Sequence, residues 1–161
     1  MGGLLWLTEK VSKTFNWVAL IALTFIMLLT VSDVVLRYFG RPIVGTFEIV
    51  GFCGAVIIGF ALPLTSWYRG HIFVDFLTSK MSKSSKKVMD IATRILSIVL
   101  FFIVGWNLFI YSQKLYRSGE VSLTIQIPFY PFSYGLGVAC FLQGLVLITD
   151  IVKISRGTYD E

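Results

Sequence analysis

The sequence predicts an all-α integral membrane protein with four transmembrane helices, and three observations carry that prediction. The 161 residues are 56% hydrophobic and 14% charged with mean hydropathy +0.80, whereas roughly 25% of a soluble domain is charged. A water-soluble fold of this size buries only about two-thirds of its surface, which leaves too much apolar area facing water. Second, four charge-free windows reach the length of about 20 residues that a helix needs to cross the hydrocarbon core. Third, blocks such as residues 21–29 and 98–104 are continuously apolar. Lipid-spanning barrel strands would alternate, so the spans are helices.

The first window covers residues 14–32, between Lys13 and Asp33, and the span it predicts lies near 14–36. The second, 49–68, runs from Glu48 to Arg69 and predicts a span near 46–68, with Pro63 expected to bend it as a structural kink. The third, 95–113, lies between Arg94 and Lys114 and predicts a span near 92–115. The fourth uncharged stretch, 121–149, is too long for one simple span, but Pro128 and Pro131 disfavour regular helix just upstream of each. The last helix therefore starts near Pro131 or Phe132 and spans about 131–153. Two flanking stretches have amphipathic character: residues 3–11, expected as an interfacial helix, and residues 74–95, either an interfacial helix or a solvated basic loop. No repeat, low-complexity tract or long linker divides residues 1–161, so one domain is expected.

Basic residues orient the spans because positively charged loops stay cytoplasmic. Lys10, Lys13, Arg69, Lys80, Lys83, Lys86, Lys87, Arg94, Lys153 and Arg156 fall on one side, and Arg37, Arg41, Lys114 and Arg117 on the other. Both termini are therefore expected inside, with residues 119–131 outside. The net charge of +5 is spread between apolar blocks as a topology signal, with no basic face suited to nucleic acid. The amino-terminal segment lacks a small-residue cleavage site after a short apolar region and is expected to be retained. Cys53 and Cys140 both lie in apolar segments, which predicts buried thiols with no disulfide framework, CxxC pair or zinc spacing.

The spans carry few groups able to do chemistry. Ionisable side chains near the midplane persist mainly for function, yet the polar residues between the span ends are chiefly Asn107, Gln143 and scattered Ser and Thr. His71 is the only histidine, which rules out a haem anchor with paired imidazoles. No GxSxG, HExxH or Walker sequence is present. The chain is expected to be no enzyme, with no catalytic residue, cofactor or metal ligand.

Packing surface is what the spans do provide. Gly51, Ala55 and Gly59 recur every four residues in the second span, and Gly135 with Ala139 and Cys140 with Gly144 repeat the spacing in the fourth. Small residues let helices approach closely in lipid, and the spacing suits packing within the bundle or against a second protein. Asn107 and Gln143 could hydrogen-bond across helices, within or between chains. At the outer side, Asp33 and Arg37 have the favourable acid-first i,i+4 order. Glu48 starts the second span, where the helix dipole favours an anion. Arg37, Glu48 or Glu120 either belongs to a local salt-bridge cluster or contacts a partner or lipid headgroup. Two alternatives from other classes follow from the same spans: a stand-alone homo-oligomeric exporter or channel, for which Asp33 and Glu48 are the nearest candidate acids, and a membrane anchor for a redox enzyme.

Three stretches carry a family resemblance: Asp33-Val34-Val35-Leu36-Arg37-Tyr38 with Pro42-Ile43 and residues 45–48; Gly70-His71-Ile72-Phe73-Val74-Asp75; and residues 119–128, from Gly119-Glu120 to Pro128. Together they make the chain resemble the DctQ-like small transmembrane subunit of tripartite ATP-independent periplasmic (TRAP) transporters over essentially its whole length. The resemblance implies a subunit of the bacterial inner membrane, in an ion-gradient-driven uptake system for organic acids such as dicarboxylates or sialic acid. It implies two protein partners, a large DctM-like membrane subunit that moves as an elevator and a DctP-like periplasmic substrate-binding protein, besides membrane lipids. It makes Asp33, Arg37, Glu48, His71, Asp75, Glu120 and Pro128 structural or interface positions, and makes residues 119–128 a candidate docking element for the binding protein.

Overall fold

The computed structural model describes residues 2–68 and 83–155. Four helices fill them: α1 (Gly2–Tyr38), α2 (Thr46–Trp67), α3 (Lys83–Ser118) and α4 (Tyr130–Ser155). Each contains a stretch long and apolar enough to cross a membrane: Trp6–Tyr38, Thr46–Trp67, Ile91–Ser118 and Tyr130–Val152.

Residues 3–11 are not a separate interfacial helix; they are the first turns of α1, which runs unbroken for 37 residues. No glycine or proline interrupts residues 4–39, so nothing breaks the backbone hydrogen-bond ladder. At 1.5 Å per residue α1 is about 55 Å long, well beyond the roughly 30 Å hydrocarbon core, a surplus absorbed by tilt and by turns in the interface. Residues 83–95 likewise belong to one continuous α3, while 74–82 lie outside the described residues. Pro63 sits buried inside α2.

Glycine sets two of the helix ends. At the end of α1 the Gly40 N–H donates to Arg37 O at 3.0 Å and the Arg41 N–H to Leu36 O at 2.9 Å. Gly40 adopts φ +72°, so this is the paired-carbonyl stop that a left-handed residue permits. Gly119, at φ +65°, ends α3 by donating to Leu115 O at 3.1 Å.

The helices form two antiparallel hairpins, α1–α2 and α3–α4, joined side by side through α2 and α4. In the first hairpin Phe15 meets Phe60 with ring centroids 4.5 Å apart. In the second, phenylalanines and glycines alternate across the seam. A side chain at Gly144 would run into Phe102, one at Gly105 into Phe141, and one at Gly137 into Phe109. Each ring fills the hole left by a glycine opposite, which brings the two backbones close. Between the hairpins the contacts run in parallel register: Phe52 stacks on Phe132 at 4.4 Å, Leu136 covers Gly59, and Gln143 meets Ser66.

The result is an open row, α1–α2–α4–α3, with only slight contact between α1 and α4. α4 buries 39% of its most apolar window, against 11% for each of the other three helices. Large apolar side chains such as Ile21, Met27, Leu96 and Trp106 are exposed, as a lipid-solvated or partner-covered surface requires.

Candidate functional site

The helix ends next to residues 39–45 and 119–129, the side that the basic residues predict to be outer, are tied together by two carboxylates. Asp33, buried in the last turns of α1, accepts from Arg37 Nη2 at 2.6 Å and from the Ile43 N–H at 2.8 Å. The first bond is the i,i+4 pair along α1, and the second holds the α1–α2 loop against the helix end. Thr46 Oγ1 donates to Ile43 O at 3.0 Å and fixes the same loop at the start of α2. Arg37 itself stays 68% exposed, so its guanidinium neutralises Asp33 while facing outward.

Glu48, in the first turn of α2, accepts from the Thr124 N–H at 2.8 Å and the Ile125 N–H at 3.1 Å. The carboxylate thus pins the α3–α4 connection onto the first hairpin. That connection is itself closed: Val121 and Pro128 form an antiparallel bridge, Ser122 N–H donates to Ile127 O at 2.9 Å, and the Ile127 N–H donates to Ser122 Oγ at 3.1 Å. Gln126 turns the chain with φ +54°. Ile125 packs on Gly45, where any side chain would collide with it. Glu120 is exposed, and its carbonyl receives the Phe129 N–H at 3.4 Å. Leu123, at the tip, is 97% exposed.

Two polar contacts cross between helices toward the inner ends. Gln143 Nε2 of α4 donates to Ser66 Oγ of α2 at 2.5 Å, while Gln143 Oε1 is buried and meets no partner among the described residues. Arg94 Nε of α3 pairs with Asp150 Oδ2 of α4 at 2.6 Å, the two side chains being 11% and 15% exposed. This pair was not apparent in the sequence beyond the placement of one charge at each span end, because 56 residues separate its members.

The other expected positions are dispersed. Asn107 makes no bond across helices among the described residues; its Nδ2 donates to Ile103 O of its own helix at 2.9 Å and the residue is exposed. The glycine stripe of α2 divides: Gly59 packs beneath Leu136, whereas Gly51 is exposed with nothing near the place a side chain would occupy. Ala55, between them, is half-buried. Cys53 and Cys140 are free and half-buried. His71 and Asp75 lie outside the described residues. Among the described residues, no three His, Cys, Asp or Glu side chains gather as a metal site.

Four membrane-spanning helices in an open row, knotted by hydrogen bonds at their outer end, define a multi-pass helical membrane protein built from packing surfaces. The family described as tripartite ATP-independent periplasmic transporters, DctQ component, matches residues 26–157. That match spans most of the sequence, and the chain belongs to the DctQ family, the small membrane subunit of TRAP transporters. The family is one of transporter components and not of enzymes. No curated relative matches the chain.

Proposed function

We propose that this chain is the static scaffold subunit of an ion-gradient-driven uptake system for organic acids in the bacterial inner membrane. It braces a large DctM-like subunit, which moves as an elevator and carries the substrate, while a DctP-like periplasmic protein delivers that substrate. The observation that carries this reading is the open row of helices, whose edges α1 and α3 bury little of their apolar surface within the chain. A moving transport unit needs a frame that lipid drag holds still, and a row is broader in the membrane plane than a closed bundle of the same helices. The Glu48 knot holds the two hairpins together as one plate, and the Asp33 knot closes the first hairpin.

The test is purification of the tagged chain from its native host in mild detergent, with mass spectrometry of what remains bound. Recovery of a large multispanning DctM-like protein at about one to one supports the scaffold reading. Recovery of copies of this chain alone overturns it in favour of a homo-oligomeric exporter.

A further inference from the structure

The two edges of the helix row differ in chemistry. Between residues 17 and 31 the exposed side chains of α1 are apolar apart from Thr24 and Thr30, among them Ile21, Phe25, Leu28 and Val31. The hydroxyls of Thr24 and Thr30 on that helix are satisfied by the carbonyls of Leu20 and Ile26. Acyl chains solvate such a surface without penalty. On α3 the exposed face carries Asn107, which lies about 4 Å from the centre of the Ile91–Ser118 span at 1.5 Å per residue.

The Asn107 amide is only partly satisfied by its own chain. One N–H donates to Ile103 O, and Oδ1 and the second N–H meet no partner among the described residues. Hydrocarbon offers them none, so an amide at this depth calls for a hydrogen-bonding neighbour. Asn107 also lines a shallow groove of about 510 Å³ with Ile103, Val104, Tyr111 and Lys114. Asn107, Tyr111 and Lys114 follow i, i+4, i+7 spacing, so a polar track climbs one face from near the midplane to the outer end. Below Asn107 this side of the helix exposes Leu96 and Leu100, and then Thr93, whose hydroxyl donates to Met89 O of the same helix.

We propose that the free face of α3, centred on Asn107, seats a transmembrane helix of the large membrane subunit, whose side chain or carbonyl completes the hydrogen bonding of the amide. The free face of α1 then meets lipid. The assignment rests on the reading of this chain as a scaffold subunit. Charge favours a different protein over a second copy: copies inserted in the same orientation would bring Lys114 against Lys114, with Arg117 one turn away. A partner with an acidic or carbonyl group near the outer end has no such conflict.

The test places a photoreactive benzoylphenylalanine singly at Ile103 or Ile110 of α3 and at Ile21 or Leu28 of α1, in chains assembled in native-host membranes. The adducts are identified by mass spectrometry. Alongside, Asn107→Leu and Asn107→Gln are compared for co-purified DctM-like subunit. The expected result is adducts with that subunit from the α3 positions only. Asn107→Leu is expected to lower its recovery about threefold, while Asn107→Gln retains it. Adducts from α1 alone, or undiminished recovery with Asn107→Leu, overturn the assignment while the scaffold reading stands. Adducts from α3 with a second copy of the chain also overturn it. Failure of the unmodified chain to retain a large subunit removes the scaffold reading and this assignment together.

Discussion

The Glu48 carboxylate accepts two backbone N–H groups from a loop 76 and 77 residues further along the chain, so one side chain joins both hairpins at the outer surface. Glu48→Ala leaves those amides without acceptors, and hydrogen exchange at Thr124 and Ile125 is expected to speed up roughly tenfold while exchange in the helix centres stays unchanged. Unchanged exchange at both amides would show that the loop is held by other contacts. Asp33 does the corresponding work within the first hairpin, through Arg37 and the Ile43 N–H. Toward the other end the Arg94–Asp150 pair is largely buried, and removing one member breaks a low-dielectric ion pair. Arg94→Ala is expected to destabilise the chain in detergent by about 3 kcal/mol, and Arg94→Leu combined with Asp150→Leu to recover most of that loss. Thermal unfolding of the single and double variants measures both. Gln143→Leu removes one hydrogen bond but also one unpaired buried oxygen, so its cost should stay under about 1 kcal/mol.

Between elements, the fit of rings into glycine holes selects which helices meet. Phe102, Gly105 and Phe109 of α3 face Gly144, Phe141 and Gly137 of α4, and shifting either helix along the other would set ring against ring. Gly144→Leu displaces Phe102 and is expected to cost about 1–3 kcal/mol, as overpacking does. Gly51→Leu is the contrasting substitution, because the space beside Gly51 is open. It should leave the melting temperature of the isolated chain nearly unchanged, and a fall in co-purified large subunit would mark that face of α2 as a further contact. Normal complex yield would assign it to lipid.

Across the whole molecule, the distribution of basic residues predicts residues 119–131 outside and both termini inside. In a background with Cys53 and Cys140 replaced by serine, a cysteine at the fully accessible Leu123 should react with a membrane-impermeant maleimide in intact spheroplasts. A cysteine at Glu9 should react only after the membrane is opened. The reverse pattern would invert the topology and place the Glu48 clamp in the cytoplasm. With the expected topology, the rigid external connection and its exposed Leu123 face the side from which a periplasmic protein arrives.

The sequence alone determined the solvent, the number of spans and the type of element, because crossing hydrocarbon is a property of each segment by itself: enough consecutive apolar residues and no unpaired charge. It also carried the Asp33–Arg37 pair, since four residues on one helix bring two side chains together whatever else the chain does. Tertiary structure alone decided that α2 and α4 run side by side in parallel, that Glu48 reaches Thr124 and Ile125, that Arg94 meets Asp150, and that Gln143 bonds Ser66 while Asn107 faces outward. The reason is physical: lipid tails are as apolar as leucine, so hydrophobicity puts a helix in the membrane without choosing its neighbour. That choice belongs to shape and hydrogen bonding between residues far apart in the chain.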